Sequence, residues 1–274
     1  MKKKSAIATA RHQHGEVFAL HSRLTCWGQN FHIWVYELDG LLIETGPIHA
    51  RSAVEAFVKE RRPASVTITH HHEDHSGNAG WLTREQGLPL YMGAKTADIL
   101  ANPYQIPKYR DRVWGQMEKV RGWVADSIET EKFVLRSLAT PGHADDHIAW
   151  IVEEKGWAFT GDLYLAPHLQ YGLKSESIHQ MIQSIQSVLA LPVETIFCSH
   201  AGIIVEGRQG LEQKLAFLEW LRDETLRLRR KGKSSLQIAS RLLDRRWGAV
   251  IFSGGELSPI HLIRAIIRDE EEIG

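Results

Sequence analysis

Cysteine is scarce: Cys26 and Cys198 are the only two in a chain of 274 residues. That excludes a disulfide framework and fits a reducing compartment. Charge of one sign is also missing, since 33 Lys and Arg stand against 33 Asp and Glu. Proteins that hold polyanions or acidic surfaces usually carry a strong positive field, and nothing global supplies one here. No apolar run approaches the roughly 18 residues that a membrane-spanning helix needs. The opening MKKKSAIATA is basic, but Arg11, His12, Gln13 and His14 follow it in place of a long apolar core, so no signal peptide is read. The expected location is the cytoplasm. The expected partner is a small-molecule substrate, not a nucleic acid or a membrane. What is present, 43% hydrophobic and 24% charged residues, suits a globular protein with a substantial core.

Up to about residue 204, short β-rich runs alternate with helical ones. Strands are expected at 17–22, 31–38, 41–45, 65–69, 133–139, 147–153, 157–160 and Thr195–Cys198, each rich in Val, Ile, Phe or Trp and bounded by turn residues. Asp39-Gly40 and the run Glu153-Glu154-Lys155-Gly156 read as hairpin turns. Helices are expected at 50–61, 79–86, 95–101, 109–115 and 176–191. In the last, Ile178, Met181, Ile182, Ile185, Val188 and Leu189 share one face at helical spacing. Such a mixture predicts sheet packed on sheet with helices outside.

After Gly202 only helical patterns are evident, at 209–230, 234–244 and 258–268, with Gly232 and Gly254-Gly255 between them and Pro259 at a helix start. The chain therefore divides near residue 205, into a larger mixed part (1–205) and a helical appendage (206–274), for which a winged-helix-like arrangement is one option. Leu211, Leu215, Leu218, Leu221 and Leu228 form an apolar stripe that needs a partner surface. Ile238, Leu242 and Leu243, and then Ile260, Leu262, Ile263, Ile266 and Ile267, do the same for the later helices. Packing on the larger part, or a homodimer interface, would satisfy them. The acidic end Asp269–Glu272 is expected to fray.

The stretch Val66-Thr-Ile-Thr-His-His-His-Glu-Asp-His-Ser-Gly-Asn78 is the most informative. His70, His71, His72, Glu73, Asp74 and His75 follow directly on an apolar strand. At an extended strand end alternate side chains share a face, so His70 and His72 point together and His71 points away. Asp74 and His75 fall where the chain turns into a helix, with Gly77 permitting the bend. Imidazoles at i and i+2 followed by a carboxylate and another imidazole suit Zn²⁺, Mn²⁺ or Fe²⁺ better than Ca²⁺. A solvated histidine-rich loop is the bland alternative. Against it, His143, Asp162 and His200 each also follow an apolar strand, as if converging on one edge of the sheets.

The motifs HHHEDHSGN, TPGH, TGD and SH, in this order and at these separations, resemble those of the metallo-β-lactamase fold superfamily over roughly residues 15–205. The resemblance implies an α/β fold, an αβ/βα four-layer sandwich, with two divalent metal ions, zinc before manganese or iron, at one edge. Carried onto this chain, His70, His72 and His143 would hold one ion. Asp74, His75 and His200 would hold the other, and Asp162 would bridge them. The motif that usually carries Asp reads Leu42-Ile-Glu-Thr-Gly46 here, so Glu44 takes the place of the carboxylate that hydrogen-bonds a ligand. The helical appendage is closer to glyoxalase II-like hydrolases than to antibiotic-degrading lactamases. The implied activity is attack of a metal-activated hydroxide on a carbonyl ester, thioester or lactone, with Asp74 handling a proton.

Several further residues attract roles. Tyr164 is expected to donate a hydrogen bond to a developing oxyanion, with core packing as its alternative. His168 and Tyr171 are expected to line the pocket, and Trp114, Met117, Val120 and Trp123 to form an apolar lid or an ordinary packed helix. Cys198 reads as a small core thiol. The rival functions are a phosphodiesterase or ribonuclease, an iron-dependent sulfur dioxygenase using His70, His143 and Asp162, and a DNA-binding regulator. The first draws on the basic residues within 222–246, the last on a helix-turn-helix look at 231–243.

Overall fold

Runs of Val, Ile, Phe and Trp too short for helices pair into two mixed sheets in the computed structural model, which describes residues 6–244 and 247–273. The first sheet holds, in spatial order, β1 (Ala6–His14), β2 (Val17–Cys26), β3 (Gln29–Leu38), β4 (Leu41–Ile43), β5 (Ser65–Thr67), β6 (Leu90–Met92) and β7 (Trp123–Val124). Strands β1 to β4 are antiparallel, and the β3–β4 turn uses Asp39 and Gly40 at φ 48° and 86°, the left-handed pair a tight hairpin requires. From β4 onward the pairing is parallel, and the crossovers carry helices. These are α1 (Arg51–Arg61), α2 (Glu73–Ser76), α3 (Ala79–Arg84), α4 (Ala94–Ala101) and α5 (Lys108–Trp114).

The second sheet holds β8 (Ser127–Glu129), β9 (Val134–Ala139), β10 (Ile148–Val152), β11 (Trp157–Gly161), β12 (Thr195–Cys198) and β13 (Gly202–Ile204). Its one parallel pair, β11 with β12, is joined through α6 (Ile178–Leu189). Helices α7 (Gly207–Arg230), α8 (Ser235–Leu242), α9 (Trp247–Phe252) and α10 (Pro259–Ile273) follow.

The strand period of two sorts side chains into layers. Tyr36, Leu41, Ile43, Trp150, Val152, Phe159 and Phe197 meet between the sheets. Their neighbours Val35 and Leu42 face the opposite way, against Val54, Phe57 and Val58 of α1. On the other side Ala149, Ile151, Ala158 and Ile196 face Ile178, Met181, Ile182, Ile185 and Val188 of α6, at about 1.5–3 kcal/mol for each large side chain buried. Four layers result. Strands β4, β10, β11 and β12, covered on both faces, are buried throughout and mostly apolar. The stripe Leu211, Leu218, Leu221 and Leu228, with Ile238, Leu262, Ile263 and Ile266, joins the α6 layer, so helices α7, α8 and α10 pack on the second sheet's outer side. No described helix is long and apolar enough to cross a membrane.

Several expectations need correction. Strand β1 was unforeseen because it is half polar and forms a sheet edge. Helix α10 does not fray at Asp269: the helix runs on to Ile273, and buried Asp269 accepts hydrogen bonds from Ser177 Oγ (3.0 Å) and His179 N (2.9 Å). Gly77 has ordinary helical φ; its need is space, since a Cβ there would lie 2.5 Å from Glu73 O and 2.8 Å from Ile48 N. The segment between α5 and β7 forms no helix: Met117 and Val120 are buried beside α3 and α4, and Trp123 is 68% exposed on β7. The basic run at 2–4 and Arg245 and Arg246 lie outside the described residues.

Candidate metal centre

The loop leaving β5 brings His70 and His72, and α2 brings Asp74 and His75, to the edge of the sandwich, and the turns after β9, β11 and β12 bring His143, Asp162 and His200 to the same place. His72 Nδ1 lies 3.0 Å from His70 Nε2 and 3.1 Å from His143 Nε2. Beside this triangle, His75 Nε2 and His200 Nε2 lie 3.3 and 3.2 Å from Asp162 Oδ1, and Asp74 Oδ2 is 3.3 Å from His200 Nε2. Asp162 Oδ2 turns the other way, 3.2 Å from His143 Nε2. Ligands about 2.0–2.1 Å from a tetrahedral ion stand roughly 3.3 Å apart, so these spacings suit a first coordination sphere. The polar atoms His75 Nε2 and Asp162 Oδ1 are buried with no hydrogen-bond partner, as donor atoms reserved for a cation would be. The donor set therefore fits borderline divalent cations.

The outward nitrogens are fixed by neighbours. Thr69 Oγ1 donates to Glu44 Oε1 (2.6 Å) and stands 3.1 Å from His70 Nδ1, which donates to it and leaves Nε2 with a free lone pair. His143 Nδ1 donates to Glu176 Oε1 (2.8 Å), and His200 Nδ1 to the carbonyl of His32 (2.7 Å). Glu44 also accepts from Ser199 Oγ (3.2 Å) and places Oε1 3.1 Å from His75 Nδ1. Its φ of 68°, costly for a residue with a Cβ, is held by Glu44 N donating to Thr67 O. Glu44 thus stands behind the cluster.

Burial pulls the pKa values of His70 and His72 well below the usual histidine value, so both rings are neutral and able to bind metal. At His75 burial works the same way, but Glu44, Asp162 and Asp74 outweigh it and leave the pKa well above normal. Burial likewise opposes charge on Asp162, and His200, His75 and His143 prevail to hold it well below the carboxylate range. That half of the cluster is a strongly negative environment, suited to a cation.

Other residues at the site were missed in the sequence. His147 Nε2 accepts from Asp162 N (3.1 Å) and its Nδ1 meets Thr140 Oγ1 (2.8 Å); burial, with His143 next, pushes its pKa down to about 3. His71 points away as expected, onto Asp146 Oδ1 (2.8 Å) and Tyr104 Oη (2.8 Å). Arg110 of α5 forms a buried two-point pair with Glu73 (2.6 and 2.7 Å). Lys214 of α7, fully buried, donates to the carbonyls of Leu163 (2.7 Å) and Tyr164 (2.8 Å), tying down the turn that carries Asp162. The HADDH run at 143–147 hinted at His147, whereas nothing local marked Glu176, Arg110 or Lys214.

A cavity of about 460 Å³ opens over the cluster and is lined by His72, Asp74, His143, Asp162 and His200, with His168, Tyr171 and Trp114 also on its wall. Tyr164 is not brought there. Its ring is buried beside α7, where Gly210 makes room: a Cβ on that glycine would lie 3.0 Å from Tyr164 Oη. Cys198 is buried in the α6 layer.

The family model of the metallo-beta-lactamase superfamily matches residues 27–200. Among curated proteins, the atrochrysone carboxyl ACP thioesterase of Aspergillus fumigatus is 27% identical over 69% of this chain and 55% of its own length. A hydroxyacylglutathione hydrolase of Cereibacter sphaeroides is 31% identical over 57% of this chain and 53% of its own. The chain thus spans about half the length of these relatives. A beta-lactamase domain protein from Burkholderia ambifaria shares the fold with TM-score 0.68 at 18% identity, over 94% of this chain and 89% of that one. A metallo-beta-lactamase family protein from Thermus thermophilus gives 0.65 at 20% identity, over 98% and 94%.

Proposed function

Since the chain belongs to the metallo-beta-lactamase superfamily, we propose that it is a dinuclear metal-dependent hydrolase acting on a carbonyl ester, thioester or lactone. The observation that carries this reading is Asp162, whose two carboxylate oxygens face separate histidine sets, Oδ2 toward His143 and Oδ1 toward His75 and His200. His70, His72 and His143 would hold one ion, Asp74, His75 and His200 the second, and Asp162 both. Such ions, zinc before manganese or iron, supply Lewis acidity and bring a water's pKa near neutrality.

The chain's own residues do the rest. Thr69, Glu176 and the His32 carbonyl keep the imidazoles in one tautomer and one orientation, so no reorganisation is needed during reaction. Asp74 faces the cavity from the second set and is placed to take a proton. The thioesterase and hydroxyacylglutathione hydrolase relatives support a thioester carbonyl as the reacting group. Of the basic residues on which the phosphodiesterase alternative draws, Arg222 and Arg227 are paired with Asp223 and Glu224. Residues 206–274 would act as an added wall of the site.

The test is elemental analysis alongside Asp162→Asn. Protein purified without chelator should carry close to two transition-metal equivalents and cleave thioesters in preference to a phosphodiester. The variant, with near-native circular dichroism, should lose metal and at least ~100-fold in kcat/KM, since a neutral amide bridges two cations poorly. A reproducible single equivalent after metal supplementation, or full activity of the variant, would overturn the dinuclear reading.

A further inference from the structure

Among the described residues lining the cavity, Arg110 is the one Lys or Arg, and it is already committed: Nε and Nη2 donate to Glu73, and Nη1 lies 3.6 Å from Glu256. The other carboxylate on the wall away from the cluster, Glu176, is spent on His143 and on the amide of Leu173 (3.1 Å). Among the described residues of the wall, free charge is therefore confined to the metal-ligating cluster. The remaining inner wall is apolar, with Leu169 and Leu173 from the loop after β11, Met181 from α6, Val113 and Trp114 from α5, and Leu257 from the C-terminal region, all largely buried apart from Leu257. Leu257 is held in place by the pairing of Gly172 with Ser258 (3.2 Å in each direction). Polar side chains gather at the exposed mouth: Asn30, His32, His168, Gln170 and Tyr171.

From this division we infer that the cavity reads the acyl part of the substrate and requires it to be uncharged and apolar, while the leaving group stays at the polar mouth. The inference rests on the hydrolase reading above. An acyl chain entering the cavity exchanges water for Leu169, Met181 and Trp114, and each methylene buried adds roughly threefold to fourfold to kcat/KM until the wall is reached. A carboxylate at the far end of the same chain would lose its hydration and meet no free cation, which predicts discrimination of at least ~100-fold. The leaving group, solvated at the mouth, changes the rate through its own chemistry and not through contacts with the cavity.

The experiment uses the full-length metal-loaded protein and N-acetylcysteamine thioesters of acetate, butanoate, hexanoate, octanoate and adipate. The expected result is a rise in kcat/KM from acetyl to hexanoyl or octanoyl, with the adipoyl thioester, an anion-ended analogue of the hexanoyl one, at least ~100-fold poorer. Calorimetric binding of hexanamide against adipamate gives the same comparison without turnover and should favour the neutral chain. Met181→Ala should move the optimum to a longer chain. A flat or falling dependence on chain length, with turnover present, or an adipoyl substrate as good as the hexanoyl one, overturns the apolar acyl assignment alone. Absence of turnover for every thioester overturns the thioester reading on which the inference rests.

Discussion

Lys214 places an ammonium group between α7 and the second sheet, where burial pushes its pKa down from 10.5 to about 8. Below about pH 8 both folded and unfolded chains hold the proton, and the folded state bears the full cost of about 3 kcal/mol. Between about 8 and 10.5 the unfolded chain binds a proton that the folded chain does not, so this group makes stability rise with pH across that window. Lys214→Met removes the cost but leaves the carbonyl of Leu163 without its donor, at about 1–3 kcal/mol, while the carbonyl of Tyr164 keeps the bond from Ala166 N. The opposing effects are of similar size. We expect the variant to keep its stability at pH 7.5 within about 2 kcal/mol and to lose the rise between pH 8 and 10.5, as read by urea denaturation at several pH values. An unchanged rise would show that Lys214 is not its source. Because the same carbonyls belong to the turn after Asp162, metal retention should weaken even where stability does not.

At the scale of elements, the junction of α6 and α10 controls one wall of the site. Ser177 caps α6 by accepting from Gln180 N (3.2 Å), and Asp269 of α10 adds a carboxylate at the same helix start. A negative charge there satisfies free N–H groups and meets the positive end of the helix dipole. Helix α6 supplies Met181 to the cavity, and Glu176, just before it, orients His143. Asp269→Ala should cost about 1–2 kcal/mol and lower Tm by roughly 2–6 °C for a chain of this size. Differential scanning calorimetry checks this, and a Tm equal to wild type would remove Asp269 from the cap.

For the whole molecule, the apolar layer shared by α6, α7, α8 and α10 is continuous with the outer face of the second sheet. A chain ending after Val205 would expose that face together with the site's support from Lys214 and Leu257. It should aggregate or lose metal and activity while full length stays monodisperse, as measured by light scattering and elemental analysis; a soluble, active fragment would make 206–274 dispensable. Much of this was legible in the sequence because the signals are local. Ligand-type side chains follow short apolar strands directly, and the α6 face and the leucine stripe of α7 repeat at helical spacing, so the motif set and the alternation of strands and helices could be read from neighbours alone. The partners of those side chains could not. Glu176 meets His143 across 33 residues, and Lys214 meets Leu163 across 51. A lysine on an amphipathic helix carries no mark of whether its head reaches solvent or a buried carbonyl. Tyr164 stood two residues from Asp162 in a turn, and only packing against Gly210 decided that its ring enters the core. The sequence by itself determined which chemistry the chain can hold, since residue type and local periodicity suffice for that. Which oxygen of Asp162 faces which histidines, and which walls of the cavity are apolar, were decided by tertiary structure, because distance and desolvation depend on segments that meet only when the two sheets close on each other.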